Sequence, residues 1–183
     1  WERKSKILNE NRKDIADADK RNISKSKIDR LLLTEDRLKD MIIGLEAITT
    51  QEDPVGKVLD KWSRPSGINI KKVTTPIGVI GIIYESRPNV TIDAGALCIK
   101  SGNSAILRPG TDSYFSSVSL HECIKGGLTS SGLPEDLIQI IPSKDRDAVS
   151  ELLQMTDYLD VIVPRGGKEL IKLVQKMAKV PVF

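Results

Sequence analysis

From Pro76 onward, short apolar runs alternate with helix-like stretches, and this alternation restricts the fold more than any other feature of the chain. Ile77 to Ile83 (IGVIGII) is continuous and apolar, as a strand buried on both faces must be. Asn89 to Lys100 then reads as a helix closed by Ser101-Gly102, with the glycine suited to a left-handed cap. Ser104 to Leu107, Leu137 to Ile141 and Leu159 to Val163 give three further strands. The helices between and after them are expected at Asp112 to Ile124, at Arg146 to Met155, and beyond Pro164-Arg165-Gly166-Gly167. Strands separated by helices of this length connect as right-handed crossovers into a parallel sheet. The expected fold is α/β, a doubly wound parallel sheet.

Upstream the character changes. Residues 1–50 hold 12 basic and 10 acidic side chains, so that stretch predicts exposed helices packed on something else. Ile28, Leu31, Leu32, Leu38, Met41, Ile42 and Leu45 are their expected inward stripes, and Thr34 a helix cap. Asp53 to Gly67, with two prolines and two glycines, reads as a connection, and Ile68 to Val73 as a half-exposed strand. The division expected is therefore a helical segment over 1–52, a connection with a possible oligomerisation strand over 53–75, and the α/β region over 76–183. The chain opens on Trp1 and stops in an apolar Val180-Pro181-Val182-Phe183, which reads as a segment of a longer polypeptide.

Charge and composition exclude several functions. A net charge of +3, spread evenly, and 4% aromatic residues argue against a nucleic-acid surface. No apolar run approaches the roughly 20 residues of a membrane span, and the default is a cytoplasmic protein. One histidine and two separated cysteines make a metal site unexpected. His121 and Cys123 fall inside one helix and Cys98 inside an apolar one, so all three are expected to be structural.

Ligands of doubly wound sheets bind beyond the carboxyl ends of the strands. Here those ends carry Tyr84-Glu85-Ser86-Arg87-Pro88-Asn89, Arg108-Pro109-Gly110-Thr111 and Pro164-Arg165-Gly166-Gly167-Lys168. Three arginines and two glycine turns on one edge suit a phosphorylated ligand, a dinucleotide among the candidates. Each feature also has a plainer reading: turn chemistry for the glycines, solvated charge for the arginines, an ion pair with Glu85 or another carboxylate for Arg87. Neither GxGxxG nor GxxxxGK[ST] occurs, so a dinucleotide would be held in another geometry.

Three stretches resemble one family. TPIGVIGIIYESRPNVTIDAGALCIKSGNSAILRPG at 75–110, SGLPEDLIQII at 131–141 and DVIVPRGGKELI at 160–171 are similar to the γ-glutamyl phosphate reductases of the aldehyde dehydrogenase superfamily. NRKDIADADKRNISKSKIDRLLLTEDRLKDM at 11–41 and DPVGKV at 53–58 fit as well. The resemblance implies the cofactor-binding portion of an NADPH-dependent enzyme that reduces L-glutamyl 5-phosphate to L-glutamate 5-semialdehyde in proline biosynthesis, a homo-oligomer when full length. It further implies that Glu85, Ser86, Pro88, Arg108, Gly110, Arg165, Gly166 and Gly167 contact the cofactor, with Arg108 where the superfamily has a lysine near the adenosine ribose. Arg87 and Asn89 become candidates for the substrate phosphate. Ser86 stands where aldehyde dehydrogenases place an oxyanion asparagine, and Pro109 where this branch commonly has glycine. No residue of this chain aligns with the catalytic cysteine, expected downstream of Phe183, so the segment alone should be inactive. Two other readings stay open: another member of the superfamily, or a non-catalytic nucleotide-binding module.

Overall fold

The structure, a computed structural model, describes residues 1–183. Three helices come first: α1 (Lys4–Lys20), α2 (Lys25–Leu31) and α3 (Glu35–Thr50). An antiparallel ribbon of β1 (Val58–Ser63) and β2 (Asn69–Val73) follows. The α/β region then runs β3 (Val79–Tyr84), α4 (Val90–Lys100), β4 (Ser104–Pro109), α5 (Tyr114–Ser130), β5 (Ile138–Ile140), α6 (Asp147–Leu152), β6 (Val161–Arg165) and α7 (Lys168–Met177). No helix is long and apolar enough to cross a membrane.

The sheet order is β5-β4-β3-β6, all parallel. Val182 extends it on the far side of β6, where Ile162 N donates to Pro181 O at 2.8 Å and accepts Phe183 N on its carbonyl at 3.0 Å. Because successive strand residues face opposite sides, β3 serves two cores at once. Ile80, Ile82 and Tyr84 pack with Cys98 of α4 and Leu128 of α5 on one face. Ile83 packs with Leu152 of α6, Ile162 of β6 and Val174 of α7 on the other. The sheet is doubly wound, as the apolar runs require.

Local chemistry moves the element ends. β3 starts at Val79 rather than Ile77, because Ile77 is exposed and Gly78 turns the chain at φ +129°. A side chain at Gly78 would collide with Asp160 Oδ2, and that oxygen accepts Val79 N at 2.8 Å. Val58–Ser63, inside the stretch read as a connection, is a strand; every residue in it is exposed, so no burial pattern announces it. Leu31, Leu38 and Met41 of the expected inward stripes are buried, whereas Leu32 and Ile42 are exposed. Thr34 does cap α3, its hydroxyl accepting Arg37 N at 3.2 Å.

The N-terminal helices join the α/β region through α1 on α5 and through a core of Ile7, Leu33, Leu38, Met41, Ile92 and Leu120. Polar groups are buried in that joint. Asn11 donates to Leu31 O and Ser116 Oγ and accepts Leu33 N, while Asp14 accepts both Phe115 N and Ser116 N.

Candidate functional site

In a doubly wound sheet the crevice opens where successive crossovers leave in opposite directions. Here that point lies between β3 and β6, since β4 and β5 build out on one side of β3 and β6 on the other. The register pairs Tyr84 with Arg165, so both strands end at the same level. Glu85 N donates to Arg165 O at 3.1 Å, and Glu85 Oε2 accepts Gly167 N at 2.8 Å, at the start of α7. A carboxylate thus sits on a free N–H at a helix N-terminus, where negative charge is favoured. Gly166 makes that approach possible, because a Cβ there would lie 2.6 Å from Glu85 Oε2 and 2.7 Å from Leu170 Cδ2. Glu85 and Arg87 do not pair; the carboxylate is taken by α7 instead.

Ser86 follows at φ +47°, an uncommon backbone state for a residue with a side chain. Its hydroxyl donates to Asp112 Oδ2 at 3.2 Å, and Asp112 Oδ1 pairs with Arg21 at 2.9 Å. Beside it, Arg108 is 3% exposed at the end of β4. Its guanidinium donates to the Asp145 carbonyl at 2.7 Å and to the carbonyl of Pro109, while Nε has no partner. Burial lowers its pKa from the usual arginine value, with the Asp145 and Tyr84 charges opposing and Arg146 reinforcing. The group stays protonated all the same. A buried cation held only by carbonyls, with one donor free, is an incomplete arrangement that an anion would complete.

These groups open into a cavity of about 390 Å³, within the range of small-molecule sites. Of the residues expected at a ligand, Glu85, Ser86, Arg108 and Gly110 line it together. Gly166 and Gly167 stand at its edge through their contact with Glu85. Pro88 is buried in the loop. Arg165 lends its backbone to this edge, but its charge lies near Asp93, where it opposes the burial that raises that carboxyl's pKa. Arg87 and Asn89 face a second cavity of about 500 Å³, shared with α2, α3 and Asp93.

The first cavity also holds residues that sequence reading missed: Arg21 from the end of α1, Lys27 from α2, Arg146 and Glu169. Arg146 follows β5, and its place beyond a strand end marks it in the sequence as it marks Arg108. Nothing marks Arg21 or Lys27 among the many charges of the first 50 residues.

The remaining chemistry-bearing side chains are structural in placement. His121 is buried with Nε2 at 2.7 Å from Ile138 O. Burial pushes the Cys98 thiol up to about 11 and the half-buried Cys123 thiol up as well. Little thiolate exists at neutral pH under those conditions. Cys98→Ala should therefore cost about 1 kcal/mol of fold stability and leave the turnover of a full-length enzyme intact. Rapid alkylation of Cys98 coupled to lost turnover would contradict this.

A doubly wound parallel sheet with a cation-lined crevice at its switch point defines an α/β domain of the dinucleotide-binding class. Within that class, the chain belongs to the aldehyde dehydrogenase family, whose family model matches residues 1–182. It is 55% identical over 177 residues to a gamma-glutamyl phosphate reductase of Rhodospirillum rubrum, covering 97% of this chain and 42% of that protein. A Brucella anthropi protein of the same name is 52% identical over 183 residues, 100% of this chain and 43% of its own length. Among solved structures, the gamma-glutamyl phosphate reductase of Thermotoga maritima superposes with a TM-score of 0.96 at 42% identity, covering 99% of this chain and 44% of that one. The chain thus spans less than half the length of these relatives.

Proposed function

We propose that residues 1–183 form the cofactor-binding portion of an NADPH-dependent reductase that converts L-glutamyl 5-phosphate to L-glutamate 5-semialdehyde in proline biosynthesis, in the cytoplasm. Arg108 carries this reading: a buried guanidinium without a carboxylate partner, its Nε unpaired, on a side chain that lines the cavity at the switch point. The names of the relatives supply the substrate.

NADPH, when bound, supplies the hydride that takes the acyl group to the aldehyde. Arg108 would neutralise a phosphate at this edge, and the Gly167 N–H would serve a second phosphoryl oxygen once Glu85 releases it. Arg21, Lys27, Arg108 and Arg146 set four cations around the cavity against Glu85, Asp112 and Glu169. Arg21 and Asp112 neutralise each other and Glu85 is held by α7, which leaves Lys27, Arg108 and Arg146 against Glu169, a balance that favours a cofactor carrying an additional phosphate. Arg87 and Asn89, across the loop, would receive the substrate's phosphate. The thiolate that attacks the acyl phosphate and expels inorganic phosphate has to come from outside these residues, since both thiols here are raised by burial. Residues 1–183 alone should therefore be inactive.

The β1–β2 ribbon exposes Val58, Leu59, Trp62 and Ile68. In the homo-oligomer we infer for the whole enzyme, it is the surface available for assembly.

The reading is tested with the full-length enzyme. NADPH consumption should require glutamyl phosphate, and NADH should serve far less well. Consumption with a different acyl donor, and none with glutamyl phosphate, would assign the chain to another branch of the family.

A further inference from the structure

The loop after β3 is a partition between two cavities. Glu85 and Ser86 line the first, whereas Arg87 and Asn89 line the second. The bend at Ser86, with φ +47°, and the burial of Pro88 accompany the split of successive side chains between the two cavities. Hydride transfer requires donor and acceptor carbons in contact. The two cavities meet at this loop, so a cofactor in the first leaves the second as the space for the acyl substrate, with the reacting carbons at the loop's rim.

The second cavity is polar and carries both signs of charge. Only Leu32, Leu33 and Met41 among its 11 lining residues are hydrophobic. Some of its charge is already used: Arg37 pairs with Asp29 at 2.8 Å and donates to the Leu32 carbonyl at 2.8 Å. Asp93 accepts Asn89 Nδ2 at 2.9 Å. Arg30, Arg87 and Asp40 line the same space without an ion-pair partner. A simple aliphatic aldehyde would need apolar walls and no ions. A phosphate alone would be repelled by Asp40. With Asp29 paired to Arg37 and Asp93 lying beside the Arg165 charge, Arg30, Arg87 and Asp40 remain for a ligand with two anionic groups and one cationic group.

We propose that this cavity recognises the amino-acid end of the substrate, with Asp40 accepting the α-ammonium group and Arg30 donating to the α-carboxylate, while Arg87, on the loop itself, stays with the phosphoryl end. The assignment rests on the reductase reading above and adds a specificity site to it. It makes the enzyme selective for an α-amino acid over the same acyl chain without the amine.

The test uses the full-length enzyme in the aldehyde-oxidising direction, with phosphate, NADP+, and either glutamate 5-semialdehyde or its counterpart lacking the amine, 5-oxopentanoate. Asp40 is exposed and holds no other residue, so Asp40→Asn keeps the fold. Losing a charge-assisted hydrogen bond should raise KM for the amino substrate by about tenfold or more. KM for 5-oxopentanoate should stay level or fall, and NADP+ affinity should not move. Arg30→Gln should raise KM for both substrates, because both carry the carboxylate. Equal changes for the two substrates in Asp40→Asn, or none for either, overturn the proposal. A wild-type enzyme inactive on glutamate 5-semialdehyde overturns the reductase reading instead, so the two failures are distinct.

Discussion

Replacing Arg108 by Met in the full-length enzyme should leave the fold as stable as before, or more so, while weakening NADPH binding about 5- to 150-fold, the equivalent of 1–3 kcal/mol for a lost charge-assisted bond. The two effects separate because Arg108 is costly to the fold. It is 3% exposed, its partners are the Asp145 and Pro109 carbonyls, and its Nε has none. An unbranched apolar chain of similar reach keeps the packing of the stem and removes the desolvated charge. A structural arginine would behave in the opposite way, with stability lost and affinity kept. Arg108→Lys separates charge from shape: it keeps the cation without the planar fork, so affinity should fall between those of wild type and Arg108→Met. Calorimetric titration with NADPH and thermal unfolding without it measure both quantities. Unchanged affinity in Arg108→Met with the fold intact would remove Arg108 from the site.

The parts of this molecule that were legible in the sequence are those written by burial. Ile80, Ile82 and Ile83 all leave water, so VIGII within IGVIGII is a strand covered on both sides and the doubly wound fold follows, while Ile77 stays exposed ahead of it. The β1 strand was hidden for the same reason, since Val58 to Ser63 is exposed throughout and pairs only with β2. At the site, sequence position brought Glu85, Ser86, Arg108 and Gly110 to one edge, and the structure gathers them in one cavity. Side-chain direction was not legible. Arg165 and Arg87 lie at strand ends like Arg108, yet Arg165 lies near Asp93 and Arg87 lines the second cavity. The docking of α1 and α2, which brings Arg21 and Lys27 to the first cavity, depends on contacts more than 80 residues apart in sequence, such as Arg21 with Asp112. No local pattern records a contact of that kind.

That docking rests on Asp14, and Asp14→Ala should cost about 3 kcal/mol of fold stability, in the range for removing one side of a buried charged hydrogen-bond network. Asp14 is 1% exposed and sits on α1, yet it serves the beginning of α5, accepting Phe115 N at 3.1 Å, Ser116 N at 2.7 Å and Ser116 Oγ at 2.6 Å. Alanine would leave two buried donors and one part-buried donor without an acceptor. Asn11, one turn earlier, would keep only part of the joint through Ser116 Oγ, Leu31 O and Leu33 N. The pH dependence distinguishes this anchor from an ordinary ion pair. Burial raises the Asp14 carboxyl from 3.8, and the hydrogen bonds of Ser116 and Phe115 and the charge of Lys144 only partly offset it. The folded state then binds this proton more tightly than the unfolded state. The stabilisation linked to that proton is therefore fully present below the unfolded value and fades as pH rises through the folded one. In urea unfolding from about pH 4 to neutrality, the stability of wild type relative to Asp14→Asn should accordingly decline as pH increases. A salt-bridged carboxylate would give the reverse slope. Because α1 ends beside Arg21, the Asp14→Ala variant should also bind NADPH less well at temperatures where α1 has begun to detach. An Asp14→Ala protein within about 0.5 kcal/mol of wild type would show that α1 is held by its apolar contacts alone.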